Sequence, residues 1–152
     1  MENNYNLDLS KFALDCVQKI DDNIDKSKYK TLVLKMSTLI RNNGFINTIV
    51  FNLSKIANNN KVNEHNEVFK NIIMWSMDNY KLRTIFVDAR RKSIDEIYTS
   101  KLTYNDYVNI IPKYIEIITE LNPVEYRLVS KEMINLFIWI KRFANGMIEG
   151  EN

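Results

Sequence analysis

Apolar residues recur every three or four positions along almost the whole chain, the period of helices that bury one face. Leu9, Phe12, Ala13, Cys16, Val17, Ile20 and Ile24 share a first such face, with Asp8 or Ser10 placed to cap its start. A second helix is predicted from about Ser27, burying Tyr29, Leu32, Val33, Met36, Leu39 and Ile40 and stopping at Asn42-Asn43-Gly44, where glycine accepts the left-handed backbone of a helix end. A third follows at once, with Phe45, Ile46, Ile49, Val50, Leu53, Ile56 and Ala57 on one side. So short a junction makes the second and third helices neighbours in space.

A fourth helix is predicted over about Glu64 to Asn79, with Val68, Phe69, Ile72, Ile73 and Tyr80 inward and Trp75 at its margin. Between Lys81 and Leu102, Ser93-x-x-Glu96 has the form of a capping box, while Thr84 to Val87 admits an extended conformation. Thr103-x-x-Asp106 then opens a helix through Tyr107, Ile110, Ile111, Tyr114, Ile115 and Ile118, with Pro112 set to kink or break it. The plainest start signal is Asn122-Pro123-Val124-Glu125, a cap, a proline at the first position and an acid at the third; its helix should reach Asn145-Gly146. Tyr126, Val129, Met133, Leu136, Phe137, Ile140, Phe143, Ala144 and Met147 form its core face.

Composition supports the helical reading. Three glycines and two prolines in 152 residues leave little material for the turns of sheets and barrels, and 45% hydrophobic with 26% charged residues excludes wholesale disorder. The expectation is an all-α, single-domain bundle of about five to seven helices spanning residues 1–152, with its core over about 7–148 and no second domain. The start, MENNYNLDLS, is polar and acidic and carries no secretory signal. The longest strongly apolar run, Met133 to Ile140, is too short for a bilayer. A cytoplasmic protein without membrane contact is expected. One cysteine makes no internal disulfide, and Cys16 reads as a small core hydrophobe.

Charge changes the picture more than its total of +2 suggests. Residues 1–25 carry a net −4, whereas residues 26–63 hold six lysines and Arg41 with no acid, a net +7. Soluble helices ordinarily mix both signs, because opposite charges one turn apart support a helix and like charges do not. A phosphate backbone is the commonest ligand of so basic a surface. On the last helix Arg127, Lys131, Ile134, Ile138, Lys141 and Arg142 fall on a face apart from the core face, with Arg127 and Arg142 roughly 22 Å apart along the axis. Ile134 and Ile138 suit either a partner or a second core contact, and Trp139, off both faces, either a neighbouring helix or a partner.

Catalytic patterns are missing. The chain has no GxxxxGK[ST] phosphate loop, no HExxH and no cysteine–histidine cluster, so neither a catalytic residue, a metal nor a cofactor is expected. Its one histidine, His65, reads as a surface or boundary residue; it follows Arg41 by more than twenty positions, which excludes a local Arg–His ribonuclease pair. Asp21-Asp22 and Asp95-Glu96 are adjacent in sequence and diverge on a helix.

Specific residues gather towards the C-terminus: Glu125-Tyr126-Arg127, Glu132 and Trp139-Ile140-Lys141-Arg142-Phe143-Ala144. This pattern resembles the closing helix of the small helical subunit of the type III-B CRISPR effector, the Cmr complex. Tyr29, Leu39-Ile40, Asn43-Gly44-Phe45 and Phe51-x-x-Ser54-Lys55 are similar to the same family's helix–glycine–helix region. Phe45 and Ile140 stand where the family more often has leucine, and Ser37 where proline is common; residues 80–105 have no matching counterpart.

The resemblance implies a non-catalytic all-α subunit, monomeric when isolated. Copies of it stack as a minor filament within the ribonucleoprotein, in contact with other Cmr subunits, CRISPR RNA and target RNA. By position, it implies RNA-facing roles for Arg41, Lys141 and Arg142, which Lys35, Lys55, Arg127 and Lys131 join by charge pattern; Ile134 and Ile138 are the candidate partner contacts. The competing expectation is an all-α adaptor that binds only protein, its lysines serving solubility. Packing of Ile134 and Ile138 against their own chain and scattering of the 26–63 lysines would favour it.

Overall fold

The computed structural model describes residues 4–56, 62–86 and 104–150 and is a single all-α domain of seven helices among them. These are α1 (Tyr5–Gln18), α2 (Lys26–Asn43), α3 (Phe45–Lys55), α4 (Glu64–Asp78), α5 (Tyr80–Phe86), α6 (Tyr104–Thr119) and α7 (Pro123–Met147). The Ser93–Glu96 box, Ala57, Val87 and Thr103 lie outside the described residues.

Local chemistry sets most helix ends. Asp25 caps α2 by accepting from the backbone N–H of Ser27 and Lys28. Asn63 and Asn66 form a reciprocal capping box on α4. Asn122 and Glu125 do the same on α7, with Pro123 at the first position as the sequence indicates. Gly44 both ends α2 and starts α3, at φ 87° and ψ 156°, a backbone that side chains with a Cβ rarely adopt. The cap expected at Asp8 or Ser10 is not used. α1 starts earlier, at Tyr5, so Asp8 lies in its first turn and the Ser10 hydroxyl bonds back to the Leu7 carbonyl. α1 also ends before Ile20 and Ile24; both are buried from the following turn, where the Ile24 N–H bonds to the Asp21 carbonyl.

α7 is the long member of the bundle, 25 residues or about 37 Å, with α2 and α1 as its main neighbours. It runs antiparallel to α2. At one end the Tyr126 hydroxyl accepts from the Ile46 N–H at 3.0 Å, and at the other Lys30 Nζ donates to the Ile148 carbonyl at 2.8 Å. Val129, Met133, Leu136, Phe137, Ile140 and Ala144 are buried as the periodicity predicts. Tyr126 and Phe143 are half-buried, and Met147, expected inward, is exposed because it stands in the last turn.

α4 is covered on several sides. Phe12 of α1 packs on Trp75 with ring centroids 4.8 Å apart, so Trp75 is buried rather than marginal. Tyr29 of α2 donates to Asn71 at 2.6 Å, and the Ser76 and Tyr114 hydroxyls pair at 2.7 Å, tying in α6. Asn79 interrupts the helix and its side chain accepts from the Lys81 N–H, restarting the chain as α5. The break shifts the helical phase, which leaves Tyr80 exposed instead of inward. Thr84 to Phe86 are helical, not extended: Leu82, Ile85 and Phe86 are spaced to bury one helical face, and Phe86 stacks on Tyr114. No break occurs at Pro112, which is exposed within α6; there, water can serve the carbonyl that proline leaves unbonded.

α3 departs most from expectation. Phe45, Thr48, Ile49 and Asn52 are buried, while Val50 and Leu53 are exposed. The side that carries Ile46, Val50 and Leu53 is the more apolar by sequence, yet Phe45, next to the Gly44 junction, is the fully buried residue. Thr48 and Asn52 share that face at helical spacing. Their donors are satisfied on carbonyls one turn back, Thr48 Oγ1 on the Gly44 carbonyl and Asn52 Nδ2 on the Thr48 carbonyl.

Glu132 of α7 is a buried acid, 1% exposed, that ties several elements together. Its carboxylate accepts from the Tyr5 hydroxyl and from Asn79 Nδ2, and Lys81 Nζ lies 4.0 Å away. Glu132→Ala should therefore cost about 3 kcal/mol, because it strands the buried donors around it. Glu132→Gln, which keeps an acceptor, should cost less. Urea unfolding of both variants checks the order, and an alanine variant as stable as the parent would show that the carboxylate holds nothing together.

Candidate nucleic-acid interface

The acid-free second and third helices meet at a groove of about 310 Å³. Lys28, Thr31, Leu32 and Lys35 form its α2 wall, and Phe51 and Lys55 its α3 wall. Glu64 and His65, at the start of α4, close it. Lys28, Lys35 and Lys55 are exposed. Residues 28, 31 and 35 recur at three and four positions along α2, which puts both of its lysines on one stripe.

The rest of the groove is braced by hydrogen bonds. Asn63, the α4 cap, donates to the Lys55 carbonyl at 2.7 Å. His65 Nδ1 lies 2.8 Å from Asn52 Oδ1. Burial holds the imidazole below its ordinary pKa of 6.5; Glu64 opposes this, and Lys35 and Lys55 add to it.

The other candidate cations lie on different ground. Arg41 is exposed in the last turn of α2, where a cation also favours the helix dipole. Arg127 and Lys131 are exposed one turn apart near the start of α7, and Lys141 and Arg142 near its end. The antiparallel pairing puts Arg41 at the Arg127 end of the molecule and Lys28 at the Arg142 end. The structure thus brings Lys35 and Lys55 into one groove and spreads the remaining five along α7 and the α2 terminus. Among the described residues, none of the seven forms an ion pair.

Ile134 is half-buried and packs against its own core, as the second-core reading of that face has it, and Ile138 is half-buried. Trp139 also packs on the core, against Phe143, with the Arg142 guanidinium 5.0 Å from its ring. Arg142 is therefore held in position by a cation–π contact as well as by its helix.

Sequence reasoning passed over Lys28 and the groove-side placement of Phe51 and His65. The signals were there: Lys28 precedes Lys35 by two helical turns, and Phe51 precedes Lys55 by one. It also named Tyr126 and Glu132 without their work. Tyr126 clasps the Gly44 junction, where a Cβ on Gly44 would lie 3.6 Å from its hydroxyl, and Glu132 joins three elements.

Elsewhere the chemistry is structural. Cys16 is buried, and burial raises its thiol pKa far above the ordinary value, so it is not a thiolate. Glu67, buried beside Lys70, has its carboxyl pKa raised by burial. Among the described residues no three His, Cys, Asp or Glu side chains converge on a metal position, and no helix is long and apolar enough to cross a membrane.

The family model described as CRISPR-associated protein (Cas_Cmr5) matches residues 6–147. The chain belongs to the Cmr5 family. It is a small subunit of the type III-B Cmr module, associated with the other subunits of that complex, as the closing-helix pattern indicates. Comparison with curated proteins finds no match, and comparison with solved structures finds none. Within this Cmr5 protein most of the pattern builds the fold. Glu125 caps, Tyr126 clasps, Glu132 anchors, and Trp139, Ile140, Phe143 and Ala144 pack. Arg127, Lys141 and Arg142 are its solvent-facing members.

As the chain's one histidine, His65 gives a single resolved imidazole signal in a proton NMR titration. Its midpoint should fall below 6.5. A folded pKa below the unfolded one favours the neutral ring. The stability it contributes is therefore full above the unfolded value and is lost as pH falls through the folded one. A midpoint above 6.5 would instead pair the ring with Glu64.

Proposed function

We propose that this Cmr5 protein is a non-catalytic subunit that contacts the guide–target RNA through its basic surfaces while copies of it stack as a minor filament. The observation that carries the reading is the acid-free run of residues 26–63, whose helices set Lys28, Lys35 and Lys55 around one groove. Lys141 and Arg142 support it as the exposed members of a block whose other residues are committed to packing. Arg41, Arg127 and Lys131 extend the same charge along the antiparallel α2–α7 pair. Ile138, on the basic face of α7, offers apolar contact to a neighbouring subunit, with Ile134 beside it.

The mechanism is positional. Exposed cations neutralise backbone phosphates without reading bases, so contact is independent of sequence and weakens with salt. Specificity stays with base pairing between guide and target.

Lys141→Ala combined with Arg142→Ala should weaken target-RNA retention by the assembled complex. The dependence of binding on salt should become shallower, by about one unit of slope for each phosphate no longer neutralised. Circular dichroism of the isolated variant should still report a helical fold, since both side chains are exposed. Retention identical to the parent across a salt series would place RNA elsewhere and favour a purely protein-binding adaptor.

A further inference from the structure

The groove between α2, α3 and the start of α4 holds a feature that phosphate neutralisation does not require. Phe51 lines its α3 wall and remains 42% exposed. Lys55 Nζ stands 5.8 Å from the phenyl centroid. The His65 ring meets Phe51 nearly at right angles, 6.2 Å between centroids, and is itself held by buried Asn52. The phenyl ring is thus braced in orientation while much of its surface stays open, with Lys28 and Lys35 across the groove. Glu64 is the one acid among the lining residues.

An exposed aromatic ring inside a ring of cations is the combination that binds unpaired nucleic acid: bases stack on the ring, and the cations follow the phosphates. At about 310 Å³ the groove is at the small end of ligand clefts, suited to one base rather than to a double helix. Duplex bases are stacked on one another and offer no free face, whereas single strands can splay a base out.

We propose that this groove seats one unpaired RNA nucleotide, its base stacked on Phe51 and its flanking phosphates against Lys28, Lys35 and Lys55. The proposal rests on the RNA-contacting reading above and deepens it by assigning the groove a strand state, single rather than double. It also separates two kinds of basic surface: the lysine groove takes a base, and the α7 cations take backbone.

The test uses the full-length protein at low salt with three probes: a short oligoadenylate, an abasic strand of the same length, and a blunt RNA duplex. Phe51→Leu keeps apolar bulk at an exposed position, and an unchanged melting temperature controls for folding. It should weaken oligoadenylate binding by about 5- to 140-fold, the span of one base stack removed, and leave the abasic strand and the duplex unchanged. The double variant Lys35→Ala, Lys55→Ala should weaken oligoadenylate and abasic strand alike. A Phe51→Leu effect that is absent, or equal for all three probes, overturns the seat. If the lysine variant still weakens binding in that case, the RNA-contacting reading survives without it. Oligoadenylate that fails to bind even the parent chain at low salt overturns both.

Discussion

The bundle depends on a carboxylate placed where water cannot reach it. Taking an acid out of water costs several kcal/mol unless it is partnered, and Glu132 draws its partners, two donors on Oε1 and Lys81 at 4.0 Å from Oε2, from widely separated parts of the chain. Tyr5 comes from α1, Asn79 from the break between α4 and α5, and Lys81 from α5. None of these elements can rotate or slide along α7 without stranding a buried polar group. Burial and the carboxylate raise the Tyr5 hydroxyl pKa far above its ordinary value, so it remains protonated as a donor. Lys81 adds its charge from the rim and also lies over the Tyr5 ring, 4.1 Å from its centroid.

A second constraint orients the basic half of the molecule. Gly44 turns the chain through a backbone that disfavours a Cβ, and the Tyr126 hydroxyl reaches across from α7 to accept from the Ile46 N–H. The two together set the rotation of α3, and that rotation decides what the groove contains. With Phe45 and Ile49 driven inward, Phe51 and Lys55 face outward beside Lys28 and Lys35. The polar residues that follow Phe45 inward are not wasted there: Asn52 holds His65, which braces Phe51. Fold and candidate site are one arrangement seen from two sides.

Among the expected site residues, exposure was easier to foresee than assembly. Arg127, Lys131, Lys141 and Arg142 are outward on α7, as about 100° per residue requires once the core face is known. Their relation to the α2 cations follows from the antiparallel pairing of α2 and α7, which contacts at residues 30 and 148 and at 46 and 126 establish.

What the sequence determined by itself was local. Capping chemistry at Asn122 and Glu125, the glycine at 44 and the apolar period of α7 all act within a turn or two of helix, and each holds in the structure. Tertiary structure turned the Phe45–Ile49 side of α3 inward and left Val50 and Leu53 exposed. It also enclosed Trp75 against Phe12, turned Tyr80 outward after the Asn79 break, and gave Glu132 a partner 127 positions away. The reason is geometric: periodicity relates side chains to their own helix axis, but a helix's rotation against its neighbours is set by contacts whose sequence separation carries no pattern.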